Sequence, residues 1–254
     1  MKKEISDKPL LKQKNFRVVY EDNHIIIVNK RTGLLVQGDA TGDVTLTDMV
    51  KDYIKEKYDK PGDVFLHPVH RLDRPVSGLV VFGRTSKGLE RMNELFRKRE
   101  IQKTYWAVVR KRPKEMEGKL THYLIKDEYR NTTAAYDTPV EGSQKAELHY
   151  KVLGKLNLHY LLEVNPTTGR PHQIRVQLAA IGSPIRGDLK YGFDKPNPDA
   201  GINLHARRLY FIHPIKKTGI TCRASLPLIQ FWEEFLEFDK EEVKDKVLDQ
   251  MFEG

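Results

Sequence analysis

Apolar positions along the chain follow two periods, and each period predicts elements. In FRVVYEDNHIIIVNK, β-branched runs at 16–20 and 25–29 flank a polar turn at 21–24, which predicts a hairpin. Residues 45–58 place Leu46, Met49, Val50, Tyr53 and Ile54 at helical spacing, and Lys60, Pro61 and Gly62 end that helix. Residues 79–82 form a short apolar strand. Ser86 is read as the cap of a helix reaching about residue 99, with Leu89, Met92, Leu95 and Phe96 on one face. A strand follows at 104–109, and residues 146–153 and 158–165 predict a second hairpin around 154–157. Residues 171–181 read as a helix with Gly182 behind it, and Pro227 as the opening of a last helix carrying Leu228, Phe231, Trp232, Phe235 and Leu236. Residues 113–145 carry mixed signals and read as a mobile insertion. Strands outnumber helices and are joined by hairpins. The pattern therefore predicts an α+β fold whose central mixed, largely antiparallel sheet is flanked by helices and loops.

Composition narrows the class. The chain has 254 residues, 39% hydrophobic and 31% charged, a balance of neither a membrane span nor a disordered chain. No apolar run follows the basic start, so no signal peptide is read, and the single cysteine, Cys222, fits a reducing, cytoplasmic setting. The net charge of +9 is unevenly placed: residues 233–254 carry −6 and the remainder +15. A basic body with a separate acidic end points to a polyanionic partner, most often nucleic acid. The expected organisation is a polar tail at 1–14, one domain at 15–238 and an acidic tail at 239–254.

Three clusters could carry chemistry. Neither GxxxxGK[ST] nor GxGxxG occurs, which argues against a nucleotide cofactor. His67, His70 and Asp73 have a spacing a metal could use, but Pro68 disfavours the helix that would align them, and no metal is expected. In HRLDRPVSGL (residues 70–79), Asp73 lies between Arg71 and Arg74, surroundings that favour a carboxylate. Such an acid in a cleft is a nucleophile or general base; on a plain surface loop it makes ordinary ion pairs. In TGRPHQIR (residues 168–175), Arg170, His172 and Arg175 gather at a turn that opens a helix, a place suited to an anion or simply to solvent. Residues 86–112 are rich in cations, among them Arg97, Lys98 and Lys103, with Tyr105 and Trp106 inside the run. Cations contact phosphates and aromatic faces stack on unpaired bases. On a strand, Tyr105 and Trp106 point to opposite faces, and Trp106 is assigned to the core.

Taken together, these segments resemble the RluA-type pseudouridine synthases. HRLDRPVSGL is similar to that family's HRLDxxTSGL motif, and KTYWAVV, TGRPHQIRVQLAAIGSPIRGDLKYG and LHARRLYFIHP follow in the family's order. Val76 departs from the family's Thr. Too few residues precede the first strand for the S4 RNA-binding domain that often stands there, so the catalytic domain itself must grip RNA.

The resemblance implies a single catalytic domain with its active-site cleft across the sheet. It implies that Asp73 attacks the target uridine, at C1′ or on the ring, that Tyr105 packs on the uracil, and that Arg175 pairs with Asp73. Arg71 would fill the space left by a flipped base. Arg74, Arg97, Lys98, Lys103, Arg170 and His172 would contact RNA, while Ser77, Gly78, Gly187 and Asp188 would be scaffold. Because the reaction is an isomerisation, no cofactor is expected. The expected partner of a monomeric enzyme is structured RNA, either rRNA or tRNA. The alternatives are a non-catalytic RNA-binding or ribosome-assembly factor and a hydrolase. A retaining hydrolase needs a second carboxylic acid about 5 Å away, where this motif offers arginines.

Overall fold

A computed structural model describes residues 15–39, 41–227 and 229–238. The tails read at 1–14 and 239–254, and Leu228, lie outside them. The first half of the chain runs β1 (Phe16–Glu21), β2 (Ile25–Lys30), α1 (Leu46–Lys57), β3 (His67–Pro68), β4 (Ser77–Gly83), α2 (Ser86–Arg97) and β5 (Gln102–Val109). It continues with β6 (Glu117–Asp127), β7 (Thr132–Tyr136), β8 (Gln144–Leu156), β9 (His159–Pro166), α3 (Gln173–Ala180), β10 (Leu204–Ile212), β11 (Gly219–Arg223) and α4 (Gln230–Glu233). The eleven strands make one sheet in the order β1-β2-β4-β10-β5-β9-β8-β6-β7, with β3 on β4 and β11 on β10. Only β4 and β10 pair in parallel among the described strands; the α+β, mixed and largely antiparallel reading holds.

Local chemistry explains the boundaries. Asp22 turns the first hairpin by accepting from the amides of His24 (2.8 Å) and Ile25 (2.9 Å). Thr45 and Asp48 form a reciprocal capping box on α1. The cap of α2 is Thr85, not Ser86: Thr85 Oγ1 accepts from Gly88 N, and Ser86 is already helical. That helix ends at Arg97, and Arg99 is left-handed at φ 60°. The turn of the second hairpin falls at Asn157 and Leu158, later than expected, because Gly154 sits at a strand irregularity instead. Pro227 does not open α4; Ile229 is its cap and the helix is four residues long, though Phe231, Trp232 and Phe235 still pack inward.

The segment 113–145 is not an insertion. It supplies β6, β7 and the start of β8, and β6 is paired on both sides. Its signal is mixed because this end of the sheet is half exposed: along β6 only His122 and Leu124 are buried, while Lys119 and Thr121 face solvent and Tyr123 and Ile125 are half-buried.

The central strands are buried on both faces. Ile26, Val28, Val80, Phe82, Ala107, Val109, Leu162 and Val164 face one way, onto α1 and α3. Ile25, Ile27, Leu79 and Val81 face the other, onto Met92 of α2. Trp106, Val108 and Leu161 pack with Trp232 and Phe235, and Trp106 is 1% exposed, in the core as expected. Period-2 burial on both faces is what a central sheet between two helix layers requires.

Candidate active site

Asp73 lies on the loop that leads into β4. A Val76 amide donating to the Asp73 carbonyl (3.0 Å) turns this loop, and the buried Lys30 ammonium holds it from below. Lys30 Nζ donates to the carbonyls of Arg31, Leu34 and Arg74 at 3.0, 3.0 and 3.2 Å. Burial pulls this ammonium down to about 7, against the opposing charge of Asp73.

Arg175 enters from α3, with 6% of its side chain exposed. Its Nη1 donates to Asp73 Oδ2 at 2.8 Å. Its Nε and Nη2 donate to Asp188 Oδ2 (2.7 Å) and Oδ1 (2.8 Å). Burial works against the guanidinium charge, but the bonds and charges of Asp188 and Asp73 outweigh it and hold Arg175 above its ordinary range. The Asp73 side chain remains 30% exposed, so it is held yet reachable.

Tyr105 comes from β5, on the same sheet face as Ala107 and Val109. Burial first, and the Asp73 charge second, push its hydroxyl well above the usual tyrosine range, so it stays neutral. His172 is the cap residue of α3, left-handed at φ 55°, and so lies before the helix although the sequence reads a helix from 171. The two nonetheless converge: His172 Nε2 is 3.8 Å from Asp73 Oδ2. His172 Nδ1 lies 2.7 Å from the Tyr191 hydroxyl, which accepts from the Thr133 amide at 2.9 Å. Burial lowers the His172 pKa, Asp73 opposes this, and Arg175 and Lys190 add to it. The Arg175 guanidinium also sits 5.0 Å over the Tyr191 ring.

The remaining candidates divide. Arg71 is exposed, two residues before Asp73. Arg74 is engaged in its loop, donating to the Gly33 carbonyl and pairing with Asp43 at 2.9 Å. Lys98 pairs with Glu94 at 2.7 Å on the outside of α2. Arg97, Lys103 and Arg170 line a cavity of about 700 Å³ together with Arg99 and Phe96, and no carboxylate lines it. One wall, Thr168 to Arg170, runs directly on to His172. His70 stacks on Phe96 at 4.8 Å and accepts from the Val81 amide, and burial pulls it down to about 3. It is therefore committed to the fold rather than to a ligand.

Four supporting residues have no role in the site in the sequence reading. The sequence reads Asp188 as scaffold, although GDLKYG signals that the region matters. Tyr191 closes the same motif, and Thr133 fell in the segment misread as an insertion. Lys30 gave no signal beyond ending a strand.

The chain is similar to known proteins in sequence and in fold. The RNA pseudouridylate synthase family profile matches residues 24–180. The tRNA pseudouridine synthase C of Vibrio parahaemolyticus is 31% identical over 248 residues, covering 89% of this chain and 97% of that protein. The ribosomal large subunit pseudouridine synthase D of Yersinia pestis is 32% identical over 250 residues, covering 91% and 73%. Among solved structures, human RNA pseudouridylate synthase domain containing 4 superposes with a TM-score of 0.71 at 25% identity, covering 87% of this chain and 91% of the other.

Proposed function

Because this chain belongs to the RNA pseudouridylate synthase family, we propose that Asp73 is the nucleophile with which it isomerises uridine in RNA to pseudouridine. The observation that carries this is the Asp73–Arg175 pair: a partly exposed carboxylate fixed at one oxygen by a buried cation. Asp73 meets the target uridine as the bond between C1′ and N1 is broken. The uracil turns, C1′ bonds to C5, the C5 proton leaves and N1 gains a proton. Product and substrate are isomers, so no oxidant, reductant or group donor is consumed. Arg175 holds Asp73 in place through one oxygen, and Tyr105 offers a neutral ring on which the uracil packs.

We assign the approach of the RNA to the basic cavity, where Arg97, Arg99, Lys103 and Arg170 have the chemistry to take backbone phosphates. Arg71 fills the gap left by the flipped uridine. Arg74 and Lys98 serve as outer phosphate contacts that exchange their present carboxylate partners for phosphate. The substrate class is tRNA or rRNA, as the names of the relatives suggest. Residues 15–238 are read as the catalytic domain of a monomer. No helix among the described residues is long and apolar enough to cross a membrane. The buried Cys222 thiol, which burial pushes up to about 11, is unreactive in a way that suits the cytoplasm.

The test is tritium release from RNA labelled at uracil C5, since bonding at C5 expels that label. Wild type should release it, and Asp73→Ala should bind RNA without releasing it. Release at the wild-type rate by Asp73→Ala overturns the assignment.

A further inference from the structure

Resting on Asp73 as nucleophile, we propose that His172 is a positioning residue. It is a neutral imidazole whose Nε2–H is turned to Asp73 Oδ2 by a chain that starts at the Thr133 amide. The oxygen left to attack is Oδ1.

The argument follows the protons. The Thr133 N–H donates to the Tyr191 hydroxyl oxygen at 2.9 Å. The one proton of that hydroxyl is assigned to His172 Nδ1, which lies 2.7 Å away. A nitrogen that accepts carries no proton, so the proton of the neutral ring is on Nε2. Nε2 is 3.8 Å from Asp73 Oδ2, the same oxygen that accepts from Arg175 Nη1 at 2.8 Å. At 3.8 Å this is a dipole facing a charge rather than a hydrogen bond. Such contacts tighten when substrate closes the site. Two groups on one oxygen fix the rotation of the carboxylate and distinguish its two oxygens.

The backbone supports the assignment. His172 caps α3 in a left-handed conformation, yet makes no side-chain capping bond. Asn or Gly would fill such a position at lower conformational cost. The left-handed turn instead places the imidazole between Tyr191 and Asp73. Tyr191 is itself held in place by the Arg175 guanidinium over its ring. One β7 residue thus sets the tautomer of a group that acts on the nucleophile.

Two measurements test this. A long-range proton–nitrogen NMR spectrum of the RNA-free protein should show His172 Nδ1 unprotonated and Nε2 protonated, and Tyr191→Phe should give a mixture of tautomers. In tritium release, His172→Ala should lower kcat about tenfold or more while KM for RNA changes less than about threefold. His172→Gln, which carries an amide N–H close to the place of Nε2, should recover most of that loss. Tyr191→Phe, which keeps the ring, should lower kcat about threefold. A protonated Nδ1 overturns the proposal. So does a His172→Ala variant that raises KM with kcat unchanged, which would make His172 an RNA contact only. The two readings fail separately: a wild type that releases no tritium removes the nucleophile, whereas an active wild type matched by His172→Ala removes the positioning role.

Discussion

Asp188 grips Arg175 along its Nε–Nη2 edge with two bonds of 2.7 and 2.8 Å, which leaves Nη1 to hold Asp73. Asp188 is 1% exposed and sits at the turn after Gly187. One acid therefore neutralises the arginine, and a second is oriented by what remains. Removing the first acid leaves a buried charge with a single partner. Asp188→Asn is expected to destabilise the protein by about 3 kcal/mol and to cut kcat about tenfold or more. Urea unfolding and tritium release measure the two effects. Arg175→Lys cannot span both carboxylates and should fall at least as far in kcat.

A second expectation concerns the strand that follows Asp73. Gly78 has φ +113°, and a Cβ there would lie 2.4 Å from the Ala206 carbonyl oxygen. The obstacle is backbone of the parallel neighbour, which has no flexible end to move aside. Gly78→Ala should cost about 3 kcal/mol or more, from strain and clash together. Thermal unfolding would show it, and a variant with unchanged Tm would contradict it.

Acid sensitivity should centre on the β1–β2 turn. Asp22 pairs with Lys216 at 2.8 Å and His213 at 3.0 Å, and Glu21 with Lys57 at 2.7 Å and Arg84 at 3.0 Å. Burial would raise both acids. For Asp22, the Lys216 bond, the His24 and Ile25 amides and the Tyr20 hydroxyl outweigh it; for Glu21, Lys57, Tyr58 and Arg84 do. Both are thus lower in the folded state than in the unfolded chain, where they titrate near 4. Their stabilisation is complete above that value and is lost as pH falls below it toward the folded pKa values. Urea unfolding from pH 6 to 3 should show falling stability, with a shallower fall in Asp22→Asn.

RNA affinity should depend on salt through the cavity beside the site. Each phosphate contact removed should reduce the magnitude of the log K against log salt slope by about 0.7 on unpaired RNA. Arg97→Ala, Arg99→Ala and Arg170→Ala are expected to do so one by one, with kcat at saturating RNA little changed. An unchanged slope in the triple variant would place the RNA elsewhere.

Much of this was legible in the sequence because two kinds of signal are local. β-Branched and apolar runs announce the central strands, helical spacing with the stop at Lys60 to Gly62 announces α1, and the polar turn at 21–24 announces the first hairpin. Asp73, Tyr105 and Arg175 were found through motifs, and the structure brings Asp73 and Arg175 into contact. Asp188, Tyr191 and Thr133 were not legible, since each matters through a partner distant along the chain. Residues 113–145 were misread because half-exposed strands dilute their own alternation. Arg74 and Lys98 looked like free cations, and only tertiary structure reveals Asp43 and Glu94 beside them.

The one parallel ladder among the described strands sets an order in time. It joins Ser77 to His205, 128 residues apart, by a side-chain bond of 2.8 Å, and the neighbouring Asp73–Arg175 bond spans 102 residues. The hairpins β1–β2 and β8–β9 close over a few residues each and form without waiting for either contact. Closing the long loops is entropically costly until both halves of the sheet exist, and such pairings are slow. A refolding chain should therefore regain most of its strand signal before it regains any turnover. A nascent chain acquires Arg175, Asp188 and β10 only after β1 to β9 have been made, so the enzyme cannot act on RNA while those strands alone are complete.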